Sequence, residues 1–334
     1  MRILVHEHYC CGGQAGGALD TSLLAEAAGM LGSIAADMHA TGHDVVVAVD
    51  ARVPLDLPVP RFVTDPHATA VQRFQAALET VDAALVVAPE HDGLLPELVE
   101  LVERTGIRNL GSRSDTIRAA SDKHALGERL QLAGIRTPEA ALGPAGAGDL
   151  FGRHAAVVAK PNRGAGCLDT FVCRSVTDVA ALPERDDWLF QEQVPGSAAS
   201  AAFVVPDLGS PIPLRAGLQD VRVLHGATSA RLVYCGGRLP LPPQLERRAF
   251  DIAGGAVACL PGLRGFVGVD LVLGADADGD TVIEINARPT VAYSALRRLA
   301  RFNIADLLVG RSVPTAWREG GIRYRSDGTC SAEA

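Results

Sequence analysis

The chain has 334 residues, enough for two or three lobes, and 48% of them are hydrophobic while only 4% are aromatic. Its cores must therefore be built from Ala, Val, Leu and Ile. A net charge of -8 without any Lys/Arg run excludes a nucleic-acid backbone as partner, yet leaves room for one nucleotide in a local basic pocket.

In chain order, Ile3 to Val5 reads as a short buried strand. A helix follows, with Leu23, Ala27, Leu31, Ile34 and Met38 on one face and Gly42 as its stop. Asp44 to Val49 reads as a strand, 68–80 as a helix, Ala83 to Val87 as a strand, 94–104 as a helix and Ile107 to Leu110 as a strand. This alternation predicts a parallel sheet covered on both faces. Ser121 caps a helix through Leu132, and the Gly/Ala/Pro-rich stretch 143–148 reads as a connector.

Strands then crowd together at 155–160, 170–173, 188–192, 200–205, 221–224 and 228–235, with Gly236-Gly237 as a hairpin-type turn. A helix over 244–259, strands at 266–273 and 281–285, and a helix over 293–309 precede a polar tail after 312, expected to be loosely held. This half predicts a largely antiparallel α+β lobe. The cysteines at 10, 11, 167, 173, 235, 259 and 330 form no CxxC pair and read as reduced thiols. The start of the chain lacks the apolar core of a signal peptide, and no stretch has membrane-helix length. The expectation is a cytoplasmic protein with no membrane partner. A homo-oligomer stays open.

The most informative segment pairs Gly268-Val269-Asp270-Leu271-Val272-Leu273 with Val282-Ile283-Glu284-Ile285-Asn286-Ala287-Arg288-Pro289. Asp270 interrupts an apolar strand, where a lone carboxylate costs several kcal/mol unless a cation or donors meet it. Glu284 and Asn286 are two apart and share one face of a strand. A hairpin would place Asp270 beside them. Three oxygen-donor side chains without His or Cys suit Mg²⁺, which borrows the rest of its shell from water and phosphate. The structural alternative is an Asp270–Arg288 pair. Asp276, Asp278 and Asp280 imitate an EF-hand loop, but Thr281 and Ala287 stand where Gly and Glu are needed; a solvated hairpin turn is expected.

A second segment, Ala155-Ala156-Val157-Val158-Ala159-Lys160, is an apolar strand ending in lysine. It runs into Pro161-Asn162-Arg163-Gly164-Ala165-Gly166. Glycines let backbone N–H groups approach phosphate oxygens, and the ammonium offsets their charge. No GK[ST] follows, so this is not a Walker A loop. Lys123, after Ser121-Asp122, is a second phosphate candidate; its alternative is a solvated surface lysine. Phe190-Gln191-Glu192-Gln193-Val194-Pro195-Gly196 ends a strand whose edge suits an adenine and a ribose.

In this order the pieces resemble the ATP-grasp superfamily: SDK helix, strand lysine, Gly-rich loop, QExVxG hinge, GxVGVD strand and EIN-x-RP, over roughly residues 110–310. The resemblance implies an α/β and α+β architecture. An N-terminal parallel-sheet domain (1–113) would precede two lobes, 114–196 and 197–312, holding ATP between them, with a polar tail at 313–334. It implies ATP contacts from Lys123, Lys160, Gly164, Gly166, Gln191, Glu192 and Val194. Asp270, Glu284 and Asn286 would hold one or two Mg²⁺ ions, or Mn²⁺. Arg288 and Lys160 would steady the transferring phosphoryl group. Some of these ligases place an arginine two residues before the metal Asp; Gly268 stands there, with Arg222, Arg231 and Arg264 as substitutes.

His6-Glu7, Gly12-Gly13, Leu24, Glu26, Met30-Leu31, Asp37, Gly42-His43, Ala88-Pro89-Glu90 and Leu110-Gly111-Ser112 resemble the tyramine–glutamate ligases. That family implies a carboxylate and an amine as substrates, joined through an acyl phosphate, and a place in methanofuran-type cofactor biosynthesis. Glu7, Gly12, Gly13 and Glu90 are the substrate candidates, because ligands bind at the C-terminal ends of such strands. The rival readings are carboxylase or other phosphotransfer chemistry on the same fold, and a non-catalytic ATP-binding protein. An NAD oxidoreductase fails, since Cys11 to Gly17 lacks the G-x-G-x-x-G register.

Overall fold

The computed structural model describes residues 1–14, 17–62, 68–226 and 230–333. The first part runs β1 (Arg2–Glu7), α1 (Thr21–Ala40), β2 (Asp44–Val46), α2 (Ala70–Leu78), β3 (Ala83–Val87), α3 (Leu94–Thr105) and β4 (Arg108–Asn109). The strands form a parallel sheet in the order β2-β1-β3-β4. Helices cover both faces, so β3 is buried at every position, as its unbroken apolar sequence requires. Asp20 caps α1 by accepting from the backbone N–H groups of Ser22 and Leu23. Below that cap Ala27, Leu31, Ile34 and Met38 recur at helical spacing and are buried.

The chain continues with α4 (Ser114–Ser121), α5 (Lys123–Leu132), β5 (Ala140–Leu142), α6 (Gly143–Phe151), β6 (Val157–Pro161), β7 (Phe171–Cys173), α7 (Val176–Ala180) and β8 (Trp188–Glu192). These strands surround a small core of Ala147, Leu150, Val157, Ala159, Cys173, Trp188 and Phe190. Then come β9 (Ser197–Val205), β10 (Ile212–His225), β11 (Ala230–Leu239), α8 (Pro243–Ala258), β12 (Gly265–Leu273), β13 (Thr281–Asn286), α9 (Tyr293–Leu299), α10 (Ile304–Leu308), β14 (Gly321–Arg325) and β15 (Cys330–Glu333). One 11-stranded sheet runs β13-β12-β9-β10-β11-β7-β6-β8-β5, with β14 on β11 and β15 on β14. Its pairs are antiparallel throughout. Among the described residues no helix is long and apolar enough to cross a membrane, and all seven cysteines are free.

Several elements differ from the sequence reading. Asp122, not Ser121, caps α5, because Ser121 already closes α4 and the Asp122 carboxylate accepts from Ala125 N at 3.1 Å. The stretch 143–148 is helical, since Ala147 and Leu150 gain burial in the small core. Gly236-Gly237 lies inside β11 rather than in a turn. Gly236 has φ +123°, and a Cβ there would sit 2.1 Å from the Tyr324 carbonyl oxygen, so glycine admits β14 alongside. The expected strand at 228–235 begins at Ala230, and residues 228 and 229 lie outside the described residues. The last helix is two, broken where Asn303 caps α10.

The tail is held, not loose: β14 pairs with β11, and Tyr324 is buried. The Asp276–Asp280 turn is only partly solvated, because Asp280 is buried against Arg248. Finally, α9 and α10 pack on α1. Asp37 accepts from the Tyr293 hydroxyl at 3.0 Å and from Arg297 Nη2 at 2.6 Å. That contact fixes the first sheet against the C-terminal half.

Candidate active site

The antiparallel register places Asp270 of β12 opposite Glu284 of β13, and Gly268 opposite Asn286. The ladder slips by one residue just after Asp270, the kind of irregularity that re-aims a side chain. Asn286 Nδ2 donates to Asp270 Oδ2 at 3.0 Å, and Gln219 Nε2 of β10 donates to Asp270 Oδ1 at 2.8 Å. Gly268 allows this crowding: a Cβ there would come within 3.1 Å of the Thr290 methyl group.

Two ammonium groups face the same carboxylates. Lys123 Nζ lies 3.4 Å from Glu284 Oε2, and Lys160 Nζ lies 3.9 Å from it. Lys123 also donates to the Gly164 carbonyl at 2.6 Å, so it is no solvated surface lysine. The Asp122 cap reaches further. Its carboxylate accepts from Asn162 Nδ2 at 3.0 Å and pairs with Arg163 at 3.1 Å, which ties the Gly-rich loop to the start of α5.

Burial works to raise both carboxyl pKa values, but the outcomes diverge. Asp270 goes up, through burial and then the charge of Glu284. Glu284 ends below its ordinary value, because Lys123 and Lys160 outweigh its burial. Burial pulls Lys160 down to about 8, against the pull of Glu284. Two partly buried carboxylates with an amide oxygen at hand form an all-oxygen donor set, and a hard divalent cation fits it.

Arg288 does not pair with Asp270, so the structural alternative for the cluster falls. It grips Glu90 instead, with Nε at 2.8 Å and Nη2 at 2.9 Å, in a bidentate pair that joins the first domain to the site. A cleft of about 500 Å³ is lined by Lys123, Lys160, Gly164, Gly166, Gln191, Glu192, Val194, Asp270, Glu284, Asn286 and Arg288. At its hinge, β8 ends: Gln191 is buried between Ala140 and Val158, and Glu192 accepts from Glu139 N.

The first-loop candidates stand elsewhere. Glu7 is 1% exposed at the end of β1, where it accepts from Cys10 N at 2.8 Å; burial raises its pKa to about 7. Gly12 packs beside Arg73 and Asp50, and Gly13 leaves room only for the His8 ring. Neither these three nor Glu90 lines the cleft. Arg222 pairs with Asp220, Arg264 with Asp207, and Arg231 is exposed. A further arginine that lines the cleft, besides Arg288, is Arg215, bound to Glu246 at 2.7 Å. Sequence reasoning missed Gln219, Arg215, Tyr234 and Tyr324. None had a usable signal: Gln219, for one, lies on β10 and reaches Asp270 of β12 across the intervening β9.

The chain belongs to the ATP-grasp superfamily: residues 120–292 match the ATP-grasp domain, and residues 43–117 match the pre-ATP-grasp domain. Over 231 residues, 69% of this chain, it is 28% identical to tyramine–L-glutamate ligase of Methanocaldococcus jannaschii and 27% identical to that of Methanocaldococcus fervens. The match spans 63% and 66% of those relatives, just under two thirds of their length. The crystal structure of an ATP-grasp superfamily protein from Archaeoglobus fulgidus superposes with a TM-score of 0.72 at 25% identity, covering 97% of this chain and 92% of that one.

Proposed function

We propose that this chain is an ATP- and magnesium-dependent ligase that joins a carboxylate to an amine, with glutamate and a tyramine-like amine as its substrates. The observation that carries the proposal is the meeting of Asp270, Glu284 and Asn286 with Lys123 and Lys160 in the lining of one cleft. Anionic and cationic side chains held together out of water suit a metal–triphosphate pair, in which each charge finds its opposite. The likeness to the tyramine–L-glutamate ligases favours amide formation over carboxylase chemistry on the same fold.

Asp270, Glu284 and Asn286 would hold Mg²⁺, which when bound supplies charge neutralisation and a template for the phosphates. Lys123 and Lys160 would hold phosphate oxygens, with the 162–166 loop over them. Gln191, Glu192 and Val194 would hold the adenosine. Arg288, steadied by Glu90, would face the γ-phosphate and the acyl phosphate made from it. The carboxylate oxygen attacks phosphorus, ADP leaves, and the amine then displaces phosphate at the acyl carbon. Positioning and charge do this work, without a dedicated acid or base.

The test is a panel of amino acids against amines, with Mg-ATP, scored by ADP release and product mass. Glutamate with tyramine should give the fastest release and a product equal to their sum less water. Release at background across the whole panel would sink the ligase reading.

A further inference from the structure

The cleft is also lined by Glu26, Tyr234, Tyr324 and Arg288. Three separate parts of the chain meet there: α1, β11 with Arg288 beyond β13, and the C-terminal β14. Glu26 sits beside the buried Ala27 on α1 but turns into the cleft. Among the described residues no hydrogen bond or ion pair reaches its carboxylate. Arg288, the cation whose field it feels, is already claimed by both oxygens of Glu90.

Tyr234 and Asp270 line the same cleft as Glu26. Tyr324 stands against Tyr234. Its hydroxyl is buried, close to Tyr234 and Ser200. A carboxylate that only accepts, in a cleft it shares with two tyrosines, asks for a positively charged donor. Burial accordingly pushes the Glu26 carboxyl up, with Arg288 opposing.

We infer that Glu26, with Tyr234 and Tyr324, forms the subsite for a substrate ammonium group in the cleft that holds the Asp270–Glu284–Asn286 cluster. The inference rests on the ligase reading for its location but not for its test. The ammonium has two chemical sources: the amino group of an amino-acid carboxylate donor, or the amine acceptor.

Calorimetric titration of the full chain, with Mg²⁺ and a non-hydrolysable ATP analogue, separates them. The probes are L-glutamate against glutarate, and tyramine against 4-ethylphenol, each pair differing by the amino group. The wild type should prefer the ammonium member of one pair by about 10-fold or more, the worth of one charge-assisted hydrogen bond. Glu26→Gln should erase that preference without altering affinity for the amine-free member, and Glu26→Asp should restore part of it. The pair that responds names the source. A wild type without preference in either pair, or a Glu26→Gln chain that keeps it, overturns the subsite. ADP release at background alongside a Glu26-dependent preference would remove the ligase reading and leave the subsite standing. Normal ADP release with an unchanged preference in Glu26→Gln would do the reverse.

Discussion

The Asp270–Glu284 cluster and the first loop both bury a carboxylate at a strand edge, and they treat it in opposite ways. Glu284 faces two ammonium groups and stays ionised, while Glu7 is buried with hydrogen bonds from Cys10 and Tyr9 but no cation pair among the described residues, and its pKa climbs to about 7. Cations placed within about 4 Å outweigh burial in the first case; in the second the hydrogen bonds from Cys10 and Tyr9 do not. A carboxylate kept charged at a cleft wall is arranged for a ligand. One pushed toward neutrality inside a fold is arranged for packing. The same contrast separates the residues proposed for ATP and Mg²⁺, all of which line the cleft, from Glu7, Gly12 and Gly13, none of which does.

The largest expected effect breaks the comparison at its charged end. Glu284→Gln keeps the shape and hydrogen-bonding reach but removes the charge facing Lys123 and Lys160. ADP release should fall by about 1,000-fold or more, the scale seen when a fixed electrostatic group is lost from a transition state. The melting transition should persist, which separates lost chemistry from lost fold. Release within a few-fold of wild type would contradict the metal assignment.

The next effect sharpens the other end. Glu7 has a folded pKa near 7 against an ordinary 4.5, so its contribution to stability is complete below 4.5 and is lost as pH rises through about 7. Glu7→Gln stays neutral throughout and can still accept from Cys10 N. The stability of Glu7→Gln relative to wild type should therefore rise by roughly 2–3 kcal/mol between pH 5 and pH 8. Urea unfolding at the two pH values measures it. A difference that does not change with pH would mean that Glu7 is not held neutral. Unfolding at a lower urea concentration only at pH 8 would reverse the sign and place a cation beside it.

How much of this was legible follows from the range over which sequence carries information. The cluster was legible because strand period and hairpin register are local: Glu284 and Asn286 are two apart, and Asp270 is one hairpin away. The Arg288–Glu90 pair was not, because it joins residues 198 apart through the docking of two domains. Tyr324 was hidden in a tail whose polar composition gave no hint that Gly236 leaves a backbone-sized gap for β14. Glu26 entered only through the resemblance and not as a site residue, on a helix whose buried face was legible from Ala27, Leu31, Ile34 and Met38. Periodicity assigns such a residue to the surface and cannot tell open solvent from a cleft.

The smallest predicted effect concerns Lys160, where the two halves of the contrast meet in one side chain. It is buried like Glu7, so burial pulls its pKa to about 8, yet it faces Glu284 as a cluster member must. Without nucleotide its cost of burial and its attraction to Glu284 oppose each other, and Lys123 already serves that carboxylate at the shorter distance of 3.4 Å. Lys160→Ala should therefore change apo stability little. With a triphosphate in the cleft the balance shifts, because a second anion would face the same ammonium and nothing else at the end of β6 replaces it. ATP affinity should fall by about 10-fold, measured by titration calorimetry with Mg²⁺. Unchanged affinity would remove Lys160 from the site and leave Lys123 as the phosphate contact of the cleft. A large loss of apo stability would instead show the Lys160–Glu284 contact to be part of the scaffold, closer in kind to Glu7 than to the cluster.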